Sequence, residues 1–574
     1  MEKDNLHNIR HSLAHLLAIE VLKFDPEAKL AIGPVISTGF YYDFEFSEGK
    51  IPTDKDLKTF QKGMKKAVSR GLDFEYQEIG ADEAREMFKD NVYKMELIEE
   101  LIADGKTLSI YKTGDFTDLC SGPHVENTKE INANAFKLDK IAGAYWRGDE
   151  KNTMLTRIYG IAFETEEELK AYEIQMEEAK KRDHRKIGKE MGLFTFSPLV
   201  GGGLPLFTPK GTAMRKAIMD KINEIQKGKG YQEVSIPHIT KPDLYKTSGH
   251  WDKFGDQLFK VQGMESEFVM KPMNCPHHTQ IFAAEAHSYK DLPVRFVEAT
   301  TVYRDEQSGE LQGLSRVRSI TQDDGHVFCT PEQIEEEVNS IVSIIKEFYT
   351  SLDMWNEGDF WVSLSTRDEE TMLGEKETWD VAEDALKKIA EKENLPYKIV
   401  EGEAAFYGPK LDFMFKDAIG REWQLGTVQL DFVMPKRFEL EYTSNTGTKE
   451  TPVMIHRAIA GSLERFMSVI IEHFAGNFPL WLAPVQIKVL PLVEVHNKYA
   501  EGVYKQLRDL GYRVELDDRN ESLGKKVREA KKDKVPYYIV IGDKDMEANM
   551  ITVENRDTEK SEQMTTEDFI EMIK

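Results

Sequence analysis

The sequence has little cysteine and no long hydrophobic run. Its three cysteines, Cys120, Cys275 and Cys329, are too few and too odd in number for a disulfide framework, so each is a candidate thiol or metal ligand. No stretch approaches the ~18 uninterrupted apolar residues of a membrane span, and the opening residues MEKDNLHNIR lack the apolar block of a secretory signal. We therefore expect a cytoplasmic protein with no membrane partner.

Positively charged residues are outnumbered by acidic ones. Among 574 residues, 76 are Lys or Arg and 101 are Asp or Glu, which gives a net charge of -25. This balance argues against a protein that coats polyanions over its whole surface, although local basic runs at 180–189 and 525–532 can dock RNA or simply form solvated helix faces. The hydrophobic share of 40% indicates a globular protein, and the length suggests about four domains.

The composition changes at three places along the chain. Residues 1–163 mix helical and strand-like patterns, including a half-buried strand predicted at 39–46. Residues 164–190 are rich in Glu and then in basic residues, with almost no Gly or Pro, and predict an exposed linker helix. Residues 191–480 form the largest region, and 481–574 alternate strands (485–490, 512–516, 537–541) with helices, as in a small open α/β sheet.

One constellation lies in the first region. His7, His11 and His15 are four residues apart and share one face of a predicted helix. His11 and His15, together with Cys120 and His124 around a Gly-Pro turn, have the residue types of a zinc site. The alternative is that His15 packs in the core and Cys120 is a small buried hydrophobe.

A second constellation lies in the largest region. Cys275 follows Met-Asn and precedes Pro, and His326 and His456 occur farther along the same region. One thiolate and two imidazoles would leave a coordination position open, as in a catalytic or substrate-binding zinc site. Their spacing alone does not prove that they converge.

Arginines surround a loop that contains two glycines. Arg304, Arg316 and Arg318 could bind phosphate there, because guanidinium groups offer paired donors and glycines allow close approach. A solvated hairpin is the alternative. Arg465 lies in an apolar helical stretch, where a charged side chain needs a partner.

Several strings of this sequence resemble the motifs of one family. The strings GLSRVRSITQDDGHVFC, FYGPKLDF, WQLGTVQLDF and HRAIAGSLERF, with MNCP and YRDE, resemble the signature motifs of threonyl-tRNA synthetases, which are class II aminoacyl-tRNA synthetases. The resemblance runs from about residue 7 to the C-terminus. It implies an α+β multidomain protein with an α+β editing domain (1–163), a linker helix (164–190), a class II antiparallel-sheet catalytic core (191–480) and an α/β anticodon-binding domain (481–574).

The resemblance also implies an activity: ATP-dependent ligation of L-threonine to tRNA(Thr) through a threonyl-adenylate, with hydrolytic editing of seryl-tRNA. It implies Mg²⁺ with ATP and a homodimer built around a motif near Pro237. In the catalytic domain it assigns one Zn²⁺ per chain to Cys275, His326 and His456; ATP binding to Arg304, Glu306, Arg316, Gln424 and Arg465; threonine binding to Asp324, Tyr407 and Gln429; and catalytic roles to Arg304, Arg465 and Lys410.

Editing is implied because serine also carries a hydroxyl and passes a site that selects threonine by its hydroxyl. The resemblance places His11, His15, Lys94, Cys120 and His124 at the editing site. On this basis we expect these residues to position water and the tRNA 3′ end without a metal.

The sequence departs from the family pattern at four places. The small extra N-terminal domain common in the family is not expected here. His277 replaces a glycine beside the zinc ligand, Ile320 replaces an aromatic residue that stacks on adenine, and Glu554 stands where an arginine contacts the anticodon. Asn520 fits the anticodon-binding pattern.

Two other functions fit part of the sequence. A synthetase for serine or proline would share the arginines but would not need Cys275, His326 and His456 together. A non-catalytic RNA-binding relative would not need the intact arginines and metal ligands. The presence of both sets favours the active threonine enzyme.

Overall fold

The computed structural model of the protein describes residues 5–149 and 151–574. It shows two compact units, and the chain passes from one to the other between Glu177 and Glu178. Across the described ranges, none of the helices has the length and apolar character that crossing a bilayer requires.

The first unit is a mixed α+β structure. Its helices are α1 (Asn5–Phe24), α2 (Asp54–Arg70), α3 (Ala81–Phe88), α4 (Val92–Ala103) and most of α5 (Glu166–Arg182). Its strands are β1 (Lys29–Leu30), β2 (Val35–Ile36), β3 (Gly39–Glu45), β4 (Glu75–Glu78), β5 (Ser109–Thr113), β6 (Phe116–Leu119), β7 (Phe136–Tyr145) and β8 (Met154–Ala162).

Two antiparallel sheets organise this unit. One has the order β1-β3-β8-β7, with β2 also paired to β3, and the other has the order β4-β5-β6. Helix α1 buries Leu13, Leu16 and Leu17 completely and carries His15 into the same interior. The strand predicted at 39–46 is present as β3, but it is buried along most of its length rather than on one face, partly because Asp43 is neutralised by Arg157 at 2.7 Å.

The second unit contains the remaining elements. Its helices are α6 (His184–Glu190), α7 (Pro209–Gln226), α8 (Pro242–Ser248), α9 (His250–Phe254), α10 (Cys275–Ala283), α11 (Ile334–Thr350), α12 (Lys376–Lys392), α13 (Met434–Arg437), α14 (Leu463–His473), α15 (Asn497–Asp509), α16 (Leu523–Lys532), α17 (Asp543–Ala548) and α18 (Thr566–Ile573). Its strands are β9 (Phe194–Thr195), β10 (Leu206–Phe207), β11 (Tyr231–Glu233), β12 (Ile239–Thr240), β13 (Lys260–Gln262), β14 (Glu267–Met270), β15 (His287–Ser288), β16 (Val294–Tyr303), β17 (Ser319–Cys329), β18 (Phe360–Ser365), β19 (Tyr397–Val400), β20 (Lys410–Lys416), β21 (Glu422–Asp431), β22 (Tyr442–Thr443), β23 (Lys449–Glu450), β24 (Val453–Ala458), β25 (Ile487–Pro491), β26 (Val514–Leu516), β27 (Tyr537–Ile541), β28 (Ile551–Asn555) and β29 (Ser561–Met564).

An eight-stranded sheet forms the centre of this unit. Its order is β11-β16-β17-β24-β21-β20-β18-β19, with parallel pairs at the two ends and antiparallel pairs between them. Helix α11 packs on it because Val338, Ile341, Ile345 and Phe348 recur at helical spacing and are fully buried. Smaller three-stranded sheets, β12-β14-β13 and β15-β22-β23, lie in the same unit.

The C-terminal part has a separate sheet with the order β26-β25-β27-β28-β29. Strands β26, β25 and β27 are parallel, and β28 and β29 add antiparallel edges. The strands predicted at 485–490, 512–516 and 537–541 are therefore confirmed, as is their α/β character.

The stretch predicted as one exposed linker helix contains two helices, α5 and α6. The break lies at Asp183, whose carboxylate accepts a hydrogen bond from the Arg185 amide at 2.8 Å and so caps α6. The next residue, His184, is buried, so this end of the stretch is part of the core and not an exposed linker.

Candidate functional site

Alternate residues of β17 bring the candidate site together. Ile320, Gln322, Asp324 and His326 lie two apart on this strand and therefore share one face of the large sheet. A cavity of about 510 Å³ lies beside Ile320 and Gln322. Its lining includes Arg304, Glu306, Ser315, Arg316, Val317, Ile320, Gln322, Gln424, Leu425, Thr427, Gln429, Ala458, Ala460, Gly461, Ser462 and Arg465.

Arg304 enters this cavity without a direct ion-pair partner. Among the described residues no carboxylate pairs with it; its Nη2 contacts the Met273 sulfur at 3.2 Å, its guanidinium lies 4.8 Å from the centre of the Phe254 ring, and its buried Nε has no hydrogen-bond partner. Desolvation lowers the pKa of Arg304. A cation held this way is suited to receive an anionic ligand.

The loop after Arg304 is ordered by ion pairs. Arg316 donates to Glu306 at 2.9 Å and pairs with Glu310 at 3.0 Å, while Arg318 donates to the Glu306 carbonyl and pairs with Asp305 at 3.2 Å. Arg316 and Arg318 thus have acidic partners in the folded chain, as expected for a solvated hairpin. Arg316 nevertheless lines the cavity.

Arg465 projects from the first turn of α14 and also lines the cavity. Its Nε donates to the Ser315 carbonyl at 3.2 Å, and no carboxylate among the described residues pairs with it. Desolvation and the nearby Arg316 lower the pKa of Arg465. The cavity therefore collects three guanidinium groups, of which two have no acidic partner in the part of the chain that the structure describes.

A cysteine and two histidines converge at the other end of β17. His326 on β17 and His456 on β24 are directly opposite in the strand register, and Cys275 begins α10. One ligand atom from each lies within 4.8 Å of the others, and all three residues are buried. The convergence that spacing left open is thus present in the structure.

The hydrogen bonds around this triad fit a metal. His456 Nε2 lies 2.9 Å from a carboxylate oxygen of Asp431, so it is a donor and Nδ1 carries a lone pair. His326 Nδ1 lies 2.8 Å from His278 Nδ1, and when His326 donates there, its Nε2 also carries a lone pair. In this tautomer of His326 the two lone-pair nitrogens face each other at 3.1 Å, and a cation between them would remove their repulsion; in the other tautomer His326 Nε2 would donate to His456 Nδ1.

Carboxylates make the surroundings of the triad negative. Asp324 accepts from the Asn274 amide at 2.9 Å and lies 3.7 Å from His326 Nε2, and burial raises the pKa of Asp324 to about 6. With Asp431, it would offset the charge of a divalent cation. Residues of the triad therefore fit Zn²⁺, with three ligands and an open position.

The other candidate side chains differ in whether they contact the triad or line the cavity. The Tyr407 hydroxyl donates to the Gln429 side-chain oxygen at 2.7 Å, and its ring stacks on His456, so this pair connects the triad to the cavity. Lys410 pairs with Asp412 at 2.7 Å and is not among the lining residues of the cavity.

A second site lies in the first unit. Helix α1 places His7, His11 and His15 on one face, as predicted, with ring centroids 6.2 and 5.5 Å apart. Cys120 follows β6, and its sulfur lies 3.4 Å from His11 Nε2 and 3.3 Å from His124 Nε2.

A cavity of about 700 Å³ opens beside this cluster. His11, His15, Lys94 and Cys120 line it, whereas His124 lies behind them, stacked on Phe74 at 4.8 Å. Burial lowers the pKa of His11, His15 and His124 and raises that of Cys120 to about 12, so the imidazoles are neutral and the thiol is protonated.

Two residues of this site were not predicted from the sequence. Asp118 pairs with Lys94 at 2.7 Å and accepts a hydrogen bond from the Tyr42 hydroxyl at 2.5 Å, and all three side chains are buried. Lys94 reaches the site because Asn91 caps α4 by accepting from the Lys94 amide at 3.2 Å. The available signal was an acidic residue inside a strand, two positions before Cys120.

Known proteins are similar to this chain along nearly its whole length. The chain is 50% identical over 566 residues to the threonine--tRNA ligase of Gloeobacter violaceus, covering 97% of this chain and 89% of that protein. This chain belongs to the threonyl-tRNA synthetase family. The corresponding ligase of Porphyromonas gingivalis is 48% identical over 580 residues, with 100% of this chain and 88% of that protein covered.

Domain families and a solved structure extend the match to the parts of a threonyl-tRNA synthetase. The tRNA synthetase class II core domain matches residues 259–474, the anticodon binding domain 486–574, and the threonyl and alanyl tRNA synthetase second additional domain 108–159. A crystal structure described as the RNA binding domain of threonyl-tRNA synthetase from Cryptosporidium parvum Iowa II has a TM-score of 0.65 and 39% identity, covering 68% of this chain and 97% of that chain. The predicted family and fold class are confirmed.

The departures from the threonyl-tRNA synthetase pattern have distinct surroundings. His277 is buried, and neither ring nitrogen has a hydrogen-bond partner among the described residues. Ile320 lines the cavity that Arg304 enters. Glu554 pairs with Lys531 at 3.2 Å, and Asn520 lines a separate cavity of about 250 Å³ in the C-terminal domain.

Proposed function

We propose that this chain ligates L-threonine to tRNA(Thr) in an ATP-dependent reaction through a threonyl-adenylate, and that it hydrolyses seryl-tRNA at a second site. Family membership and the three matched domains support both activities. The observation that carries the synthetic activity is a buried Cys275-His326-His456 triad beside a cavity that contains the unpaired Arg304.

ATP, with its Mg²⁺, is the proposed ligand of the cavity. Arg304 would bind the α-phosphate, and Arg316 and Arg465 the γ-phosphate, so that charge developing during adenylate formation meets donors already in place. Glu306 and Gln424 would contact the nucleotide. Lys410 would act through its pair with Asp412, since it does not line the cavity.

Threonine is proposed to bind at the triad end, next to Asp324, Tyr407 and Gln429. Zn²⁺ held by Cys275, His326 and His456 would supply an open coordination position for the amino and hydroxyl groups of the substrate. Asp324 would accept the hydroxyl hydrogen. A site built around a hydroxyl rejects valine strongly, because a buried acceptor would be left unpaired.

The cluster in the first unit is the proposed editing site. His11, His15, Lys94 and Cys120 would orient water and the ribose hydroxyl at the seryl ester, with His124 supporting them from behind. We propose that this editing site works without a metal. The Lys94 ammonium lies beside the cluster and neutralises Asp118, so this carboxylate does not favour a cation there. The cluster of Cys275, His326 and His456, in contrast, has two nearby carboxylates, Asp324 and Asp431.

The remaining assignments are proposals from the family. We propose editing, linker, catalytic and anticodon-binding regions at 1–163, 164–190, 191–480 and 481–574, with Asn520 contacting the anticodon. A homodimer and a cytoplasmic location are proposed on the same basis.

Threonine-dependent exchange of pyrophosphate into ATP tests the synthetic activity. We expect exchange with threonine, weaker exchange with serine and almost none with valine. Absence of threonine-dependent exchange in zinc-loaded protein, or equal exchange with valine, would refute the proposed function.

A further inference from the structure

His184 makes two hydrogen bonds of opposite polarity inside the catalytic unit. Its Nδ1 lies 2.6 Å from a Glu472 carboxylate oxygen, and the Leu314 amide donates to its Nε2 at 3.0 Å. A carboxylate only accepts and an amide N–H only donates, so Nδ1 carries the hydrogen and Nε2 the lone pair. No lone pair remains for a metal, although His184, Asp183 and Glu472 are close enough to suggest one.

The two bonds join segments that are distant in the sequence. Glu472 lies at the end of α14, the helix whose first turn carries Arg465, while Leu314 lies in the loop that carries Arg316. Leu314 is completely buried, so its amide would have no water to replace a lost partner. His184 therefore attaches the arginine loop to the core of the unit.

The position of Leu314 matters because its neighbours form the cavity wall. The next residue, Ser315, accepts from Arg465 through its carbonyl at 3.2 Å, and the one after it, Arg316, lines the cavity. On the other side, Gly313 has a φ of 51°, and a Cβ added there would lie 2.2 Å from His184 Nε2. The close approach of the imidazole thus requires glycine at this point of the loop.

We propose that His184 is a positioning residue for ATP: its neutral imidazole fixes the loop at Leu314 relative to α14 at Glu472, and so sets the distance between Arg316 and Arg465. This inference rests on the proposed use of the cavity for ATP. The inference assigns a role in ATP binding to His184, which does not line the proposed ATP cavity.

Two substitutions separate the two hydrogen bonds. The amide nitrogen of His184→Asn occupies about the place of Nδ1 and keeps the bond to Glu472, but it leaves the Leu314 amide unpaired. The longer side chain of His184→Gln places an amide oxygen near the former Nε2 and keeps the bond to Leu314. Both variants lose one buried hydrogen bond, so a purely structural role predicts similar effects for the two.

The measurements are ATP affinity by calorimetry with Mg²⁺-ATP, the KM of ATP and of threonine in pyrophosphate exchange, and the thermal unfolding midpoint. We expect His184→Asn to weaken ATP about tenfold and to leave the threonine KM within about twofold of the parent, because an unpaired buried amide costs about that much. His184→Gln should bind ATP within about twofold of the parent. Gly313→Ala should weaken ATP as His184→Asn does, which tests the contact from the loop side if His184→Asn does not fold.

Unchanged ATP affinity in His184→Asn, equal weakening in His184→Asn and His184→Gln, or a parallel rise in the threonine KM would overturn the inference. Calorimetry needs no reaction with threonine, so the two proposals fail separately. A parent protein that shows no pyrophosphate exchange refutes the proposed function. A parent with normal exchange, together with variants whose ATP affinity equals that of the parent, refutes only the role of His184.

Discussion

Arg304 gives the sharpest prediction, because two consequences of its substitution have opposite signs. Its guanidinium has no acidic partner among the described residues, and desolvation lowers its pKa. The folded protein therefore bears the cost of a desolvated charge until an anion binds. We expect Arg304→Met, which keeps an unbranched apolar stem in place of the guanidinium side chain, to lower the rate of adenylate formation about 10²–10³-fold, or about 2.7–4 kcal/mol of transition-state stabilisation.

The same variant should not be less stable than the parent, because methionine removes a desolvated charge that has no ion-pair partner among the described residues. Arg457 provides the control with the opposite pairing: it is buried, and it donates to Asp323 at 2.7 Å and to Gln226 at 2.8 Å. Arg457→Met leaves Asp323 without its ion-pair partner and should destabilise the protein by about 3–5 kcal/mol.

Single-turnover formation of threonyl-adenylate measures the first effect, and denaturant or thermal unfolding followed by circular dichroism measures the second. A parental rate in Arg304→Met would remove Arg304 from the phosphate site. A loss of stability as large as that of Arg457→Met would show that the charge of Arg304 is compensated in the folded protein, and the reasoning from its missing partner would be wrong.

Three further predictions address the other sites. Asp431→Asn should weaken zinc binding about 10–100-fold, because the one remaining side-chain oxygen accepts from the Val433 and Met434 amides and an NH₂ group then faces the histidine ligand; chelator competition measures this, and unchanged affinity would contradict the zinc assignment. The double variant His11→Ala, His15→Ala should charge threonine at a near-parental rate but fail to deacylate preformed seryl-tRNA; clearance as fast as the parent would make these histidines structural. Asp118→Asn should destabilise the first unit by about 3–5 kcal/mol, since the Lys94 ammonium loses its buried partner, and adding Lys94→Met should restore part of the loss in thermal unfolding; no rescue would mean that the pair is not the cause.

Local pattern was enough to predict the elements that carry the sites. The four-residue spacing of His7, His11 and His15 predicted their shared helix face, and the alternation after residue 485 predicted the C-terminal α/β sheet. Both depend on interactions within a few residues or within one hydrophobic repeat. The family resemblance supplied the domain types, which the domain matches confirm.

Contacts between residues that are distant in the sequence could not be predicted from local pattern. His326 and His456 meet because β17 and β24 pair in one register, and a shift of one residue would place one of them on the other face of the sheet. His184 looked like part of an exposed charged helix, since its partner Glu472 lies 288 residues away and only the folded chain shows it. Asp118 and Asp431 were missed for the same reason: a single acidic residue in an apolar strand shows no local sign of the cation or imidazole that it will face.

Hydrogen-bond satisfaction separates the buried polar groups that bind ligands from those that hold the fold. His184 and Arg457 are buried with their partners in the protein, so the folded chain has no need of a ligand at either residue. Arg304 lacks an acidic partner in the described chain, and the facing nitrogens of His326 and His456 both carry lone pairs once their other nitrogens have donated. Such groups destabilise the free protein and gain most when an anion or a cation arrives, because the cost of desolvation has already been met during folding. The proposed phosphate and zinc sites rest on polar groups that lack partners in the protein. The proposed positioning role of His184 rests instead on its two satisfied hydrogen bonds.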